Sequence, residues 1–175
     1  MKTISIICQK GGVGKTTTVV NIASVFSKLG YKTLIIDLDP QGNVSTYLNY
    51  DKMSENHTDS IDLLEKKESI QPGQISENLD ILSSNTEIAK FNEEKIVGGS
   101  KLQQAFRHIK FKEYQIILID TPPTMSSLVQ EALAVSDYYL IPAKPEFLAV
   151  EGVAQAMEFA KKTISTIQNS NPIFL

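Results

Sequence analysis

The chain has 175 residues, of which 42% are hydrophobic. That is enough for one core burying about 70% of the unfolded surface without a metal or disulfide staple. Its single cysteine, Cys8, excludes an internal disulfide, a multi-cysteine zinc site and an iron–sulfur cluster held by one chain, and fits a reducing cytoplasm. Seventeen basic against 20 acidic residues give a net charge of −3, which argues against bulk attraction to DNA or anionic lipid by this stretch alone. No signal peptide, membrane-length apolar run, internal repeat or low-complexity tract is visible, so a soluble protein is expected.

In chain order, Ile4 to Cys8 reads as a short strand rich in isoleucine, of the kind covered on both faces. It runs into Gln9-Lys10-Gly11-Gly12-Val13-Gly14-Lys15-Thr16-Thr17. A helix then spans Thr16 to Leu29, with Val19, Ile22, Ala23, Phe26 and Leu29 at helical spacing and Gly30 just past its end. Leu34 to Ile36 and Ile116 to Ile119 are further buried parallel strands, and Leu79 to Leu82 is another strand. The polar, apolar-poor stretch Asp51 to Asp62 is expected to be a surface loop. Ser100 caps a helix to about Ile109, Ser126 to Val135 is a helix, Tyr138 to Ile141 a strand and Ala149 to Gln168 a long helix. Asn171 and Pro172 form a turn into a buried strand at Ile173 to Leu175. Such a strand needs neighbours and a covering helix, so further chain is expected after Leu175. The pattern predicts one α/β domain over 1–175, with a doubly wound, mostly parallel sheet flanked by helices.

The glycine loop carries the chemistry. Three glycines let backbone N–H groups converge without Cβ obstruction, and the helix N-terminus adds partial positive charge. Gly11, Gly12, Val13, Gly14 and the residues beside them therefore form a phosphate cradle. Lys15 supplies a mobile charge for the β- and γ-phosphates, Thr16 a hydroxyl for Mg²⁺, and Thr17 a further donor near the α-phosphate. The usual G-x-x-x-x-G-K-[ST] pattern fails at one position, where Gln9 stands in place of glycine, and a second lysine, Lys10, lies within the loop.

Two acidic elements reach the same sheet edge. Asp120, followed by Thr121-Pro122-Pro123, ends an apolar run as the second acidic element of a phosphate-loop nucleotidase does, and is the candidate to hold Mg²⁺ directly or through water. Asp37 and Asp39, with one residue between them, are expected to face opposite ways, so that at most one faces the terminal phosphate, and Asp39, nearer the loop, is the candidate. His57 and His108 are expected to be structural or solvated, and Cys8 to be a buried small side chain.

With KGGVGKTT at 10–17, IIDLDPQGN at 35–43 and IILIDTPP at 116–123, the chain resembles the ParA and MinD family of deviant Walker A ATPases. The Asp39-Pro40-Gln41-Gly42-Asn43 run resembles its ParA and Soj branch. That resemblance implies ATP and Mg²⁺ as ligands and an ATP-dependent homodimer in which Lys10 reaches the partner's phosphates while Lys15 acts within its own subunit. It further implies that Asp39 positions or activates the attacking water and that Asp120 holds the Mg²⁺ shell. Nonspecific DNA binding by the ATP dimer and hydrolysis stimulated by a ParB-type partner also follow from it. The DNA-contacting residues, part of the adenine pocket and any amphipathic membrane helix belong, by the same resemblance, to a region with no counterpart here. A nucleoid-associated, cytoplasmic partition ATPase is the leading expectation, without stable membrane attachment. A MinD-like regulator on the membrane is the alternative, followed by a non-hydrolysing paralogue. A nitrogenase-like reductase lacks its cysteines.

Overall fold

The computed structural model describes residues 1–52, 58–94, 96, 99–108, 111–144, 149–167 and 173–174. Seven strands form one sheet: β1 (Lys2–Ile6), β2 (Thr33–Asp37), β3 (Gly73–Ser76), β4 (Leu79–Leu82), β5 (Ile116–Asp120), β6 (Tyr138–Leu140) and β7 (Ile173–Phe174). Their order is β3-β4-β2-β5-β1-β6-β7, with only the β3–β4 pair antiparallel. This is the expected doubly wound, mostly parallel sheet.

Alternation along the central strands sorts the core into two layers. Leu34, Ile36, Ile117 and Ile119 face α3 (Ser60–Leu64), α4 (Lys101–His108) and α5 (Ser127–Val135), through Ile61, Leu64, Leu102, Ala105, Leu128 and Ala132. Ile4, Ile6, Ile35 and Leu118 face the opposite way, against Val19 and Ala23 of α1 (Lys15–Lys28) and Val44 of α2 (Asn43–Tyr47). A third, smaller cluster joins Ile7, Val129, Leu133 and Tyr139 to Ala160 of α6 (Ala149–Thr166).

Several expected boundaries move. The first strand ends at Ile6, two residues before the expected Cys8, because the chain bends toward the glycine loop while Ile7 and Cys8 stay buried. The polar stretch Asp51 to Asp62 does not stay a loop to its end. Asp59 caps α3 in a reciprocal capping box with Asp62, and Ser60 and Ile61 are buried. His57 lies outside the described residues; His108 ends α4. Ser100 caps α4 as expected, its Oγ accepting from the Gln103 N–H at 3.1 Å. Ile173–Phe174 does pair with β6, but as an exposed edge and not a buried strand, with Ile173 60% accessible. Nothing among the described residues packs over its outer side to bury it. Cys8 is buried, as expected.

Candidate phosphate-loop site

Register decides what meets at the carboxyl edge of the sheet. β5 lies between β1 and β2, with Ile6 opposite Asp120 on one side and Asp37 opposite Asp120 on the other. The loop leaving β1 and the acidic ends of β2 and β5 therefore arrive at one level. Two further bonds extend the ladders past the strands. Thr121 Oγ1 donates to the Ile6 carbonyl at 2.7 Å, and the Leu38 N–H donates to the Asp120 carbonyl at 2.9 Å.

Gly12 and Gly14 have φ of 70° and 95°, the left-handed region where a side chain would be strained. A Cβ added at Gly11, Gly12 or Gly14 would meet no atom within 4 Å, so the loop borders open space. Gly14 also begins α1 without any side-chain cap, and no acidic residue lies in the helix's first turn. The first amides of a 14-residue helix thus face the loop with no side-chain cap and no acidic residue of their own first turn to take them.

Lys15 is buried at the base of this loop and Thr16 half-buried, whereas Lys10 is exposed on its rim. Thr16 Oγ1 donates to Asp120 Oδ2 at 2.7 Å. The other Asp120 oxygen, Oδ1, is buried without a hydrogen-bond partner. Burial lifts the Asp120 carboxyl to about 6; the Thr16 hydroxyl opposes the rise, the Asp39 carboxylate adds to it, and Lys15 opposes it. An orphaned carboxylate oxygen beside a threonine hydroxyl at the mouth of a glycine cradle suits a hard divalent cation bound with a polyphosphate.

Asp37 and Asp39 do not separate by facing opposite ways. Residues two apart share a strand face, and what parts them is that β2 ends at Asp37 and the chain then turns. Asp37 is fully buried, with one oxygen accepting from the Asp39 N–H at 2.9 Å and the other from the Val44 N–H at 3.4 Å. Burial, then the Asp120 charge, drive its carboxyl well above the usual range. Asp39 Oδ1 accepts from the Gln41 N–H at 2.9 Å, in a turn closed by the Gly42 N–H donating to the Asp39 carbonyl at 2.9 Å. Beside the loop, Gln9, Lys10, Glu151, Gly152 and Gln155 line an open cleft of about 350 Å³. The two backbone bonds of Asp37 and the place of Glu151 beside the loop were not expected: the bonds arise only in the turn after β2, and Glu151 comes from a distant segment that no local motif marks.

A family model described as an AAA domain matches residues 1–173. The sporulation initiation inhibitor protein Soj of Bacillus subtilis is 34% identical over 165 residues, covering 89% of this chain and 63% of Soj. The chromosome partitioning protein ParA of Caulobacter vibrioides is 31% identical over 180 residues, covering 98% of this chain and 66% of ParA. The chain belongs to the ParA/Soj family. Among solved structures, a plasmid partition protein of Borrelia burgdorferi bound to AMPPNP matches this ParA/Soj chain with a TM-score of 0.85 at 30% identity, covering 99% of this chain and 74% of that one. McdA of Cyanothece shares the fold, with a TM-score of 0.88 at 21% identity. This ParA/Soj chain spans 63% to 68% of the length of the curated relatives it matches first.

Proposed function

We propose that the chain is the nucleotide-binding part of a ParA-like ATPase that pairs on binding ATP and drives plasmid or chromosome partition. The Thr16–Asp120 bond beneath the glycine cradle carries the nucleotide half of this reading, because it brings a hydroxyl and a carboxylate together where the phosphates would lie. The Soj and ParA relatives supply the partition half.

The backbone N–H groups of Lys10, Gly11, Gly12, Val13 and Gly14, with Lys15, Thr16 and Thr17, would hold the triphosphate. Thr16 and Asp120 would hold the magnesium ion that accompanies it, which offsets phosphate charge. Asp39, fixed in its turn by the Gln41 amide, would orient the attacking water. Lys10 would neutralise charge on the partner subunit's nucleotide, taking the place of an arginine finger, so that pairing gates turnover. DNA without sequence preference, a ParB-type stimulating partner and a cytoplasmic, nucleoid-associated location complete the proposal.

The test measures ATP turnover and sedimentation with Mg²⁺, in the presence and absence of DNA. Lys10→Ala should abolish the ATP-dependent dimer, and Asp39→Ala should retain ATP while slowing turnover. An unaltered ATP dimer in the first variant would reject the trans role, and normal turnover in the second would remove Asp39 from the mechanism. Retention on anionic vesicles without retention on DNA would replace partition by the membrane reading.

A further inference from the structure

We propose that Lys52 is a positioning residue for the turn that carries Asp39, clamping it from outside the site onto the loop that follows β4. The inner edge of this turn is held by Asp37, through the Asp39 and Val44 amides. Its outer edge is Gly42, buried and left-handed at φ 58°. A side chain at Gly42 would point at two atoms, Lys52 Nζ and the Ser84 carbonyl oxygen, both nearer than a Cβ can approach. Lys52 Nζ donates to that same carbonyl at 3.0 Å. One ammonium group therefore lies against the glycine and binds the loop on which the glycine rests.

The loop is a firm anchor. The Ser83 carbonyl accepts from the Ser60 N–H at 2.9 Å, and Asn85 Nδ2 donates to Asp59 Oδ2 at 3.1 Å, which ties the loop to the capped start of α3. The turn itself is stiff, since Gly42 and Gln41 both donate to Asp39. A shift at Gly42 is therefore passed to Asp39. Lys52 is exposed, where a lysine ordinarily keeps its rotamer freedom; here that freedom is given up for a backbone carbonyl beside the turn. Glycine is required at position 42 both by its φ and by the space this clamp occupies.

The catalytic half of this inference rests on the hydrolytic reading above, so the experiment includes a readout that needs no activity. In the full chain, Lys52→Met keeps the stem and removes the donor, and Lys52→Arg keeps a donor. Hydrogen exchange of residues 39–44, measured without nucleotide, should quicken by about tenfold in Lys52→Met and stay within about twofold in Lys52→Arg. In steady state, Lys52→Met should lower kcat for ATP by roughly 10- to 100-fold with KM within about twofold, and Lys52→Arg should recover most of the loss. Unchanged exchange across 39–44 in Lys52→Met overturns the clamp. A change in KM with kcat intact overturns the positioning role. If wild-type protein neither binds nor hydrolyses ATP while Lys52→Met still loses protection, the hydrolytic reading fails and the clamp stands.

Discussion

Replacing Asp120 by asparagine removes a charge from the most buried part of the site while keeping an oxygen that can accept from Thr16. The folded protein without ligand holds the Asp120 proton more tightly than the unfolded chain, the value rising from 3.8 to about 6. The cost of ionising Asp120 is therefore absent below about pH 4, grows between about pH 4 and 6, and is constant above. At 1.36 kcal/mol per unit this amounts to roughly 3 kcal/mol at neutral pH. The amide must still be desolvated and Thr16 loses a charge-assisted bond, which together offset about 1 to 2 kcal/mol. Asp120→Asn should therefore stabilise the ligand-free protein by about 1 to 2 kcal/mol at pH 8, or roughly 2 to 8 °C in Tm. Calorimetry in EDTA at pH 8 and pH 5 would measure it, and the advantage should shrink at the lower pH as wild-type Asp120 takes up its proton. With Mg²⁺ and ATP the order should reverse, since the variant loses the carboxylate proposed to hold the ion. If Asp120→Asn melts below wild type in EDTA at pH 8, or keeps its full advantage on acidification, burial of charge is not what raises Asp120.

Two further residues, Glu131 and Tyr114, probe the scaffold. Glu131 of α5 is buried and accepts from Ser100 Oγ at 2.5 Å, the Lys101 N–H at 3.0 Å and the Leu102 N–H at 2.9 Å, so it caps α4 from another helix. Glu131→Ala should cost about 3 kcal/mol, seen as a lower urea midpoint at constant m, with Glu131→Gln losing less; a midpoint unmoved by the alanine would show that solvent satisfies those donors. Tyr114 donates to Asp80 Oδ2 at 2.7 Å while Lys32 Nζ approaches the same oxygen at 3.0 Å. Burial, then the bond to Asp80, raise the phenol well above its usual value, so Tyr114→Phe should cost about 1 kcal/mol and leave the tyrosinate absorbance unchanged up to about pH 11. A loss of that absorbance at lower pH would contradict the buried bond.

The site was legible where local chemistry and burial point the same way. A strand buried on both faces leaves a short isoleucine-rich run, and a phosphate loop needs glycines between strand and helix, so β1, β2, β5 and the Lys10–Thr17 segment are written contiguously. The capping box at Asp59 is also written there, but the apolar-poor residues before it hide the start of α3. β3 leaves no apolar pattern because it is a four-residue edge strand, where the Tyr50 ring lies against Gly73 in place of a side chain. The Lys52 and Glu131 contacts were illegible for a different reason. Each joins side chain to backbone across about thirty positions, and only the folded sheet sets that spacing.

Strand order explains why so much acid is gathered at one buried place. Placing β5 between β1 and β2 delivers Asp37 and Asp120 to one level, with Asp39 close enough to raise both. Among the described residues Lys15 is the buried cation that opposes the rise, and it does not bring Asp120 back to its ordinary value. In the protein alone, ionising Asp120 therefore carries the cost of a buried charge, and that cost lowers stability at neutral pH. On the proposed reading, the divalent ion that arrives with the nucleotide relieves this penalty, so part of the binding free energy is the release of strain already present in the folded protein. Affinity for the metal–nucleotide complex and instability of the bare site then have one cause, and Asp120→Asn should diminish both.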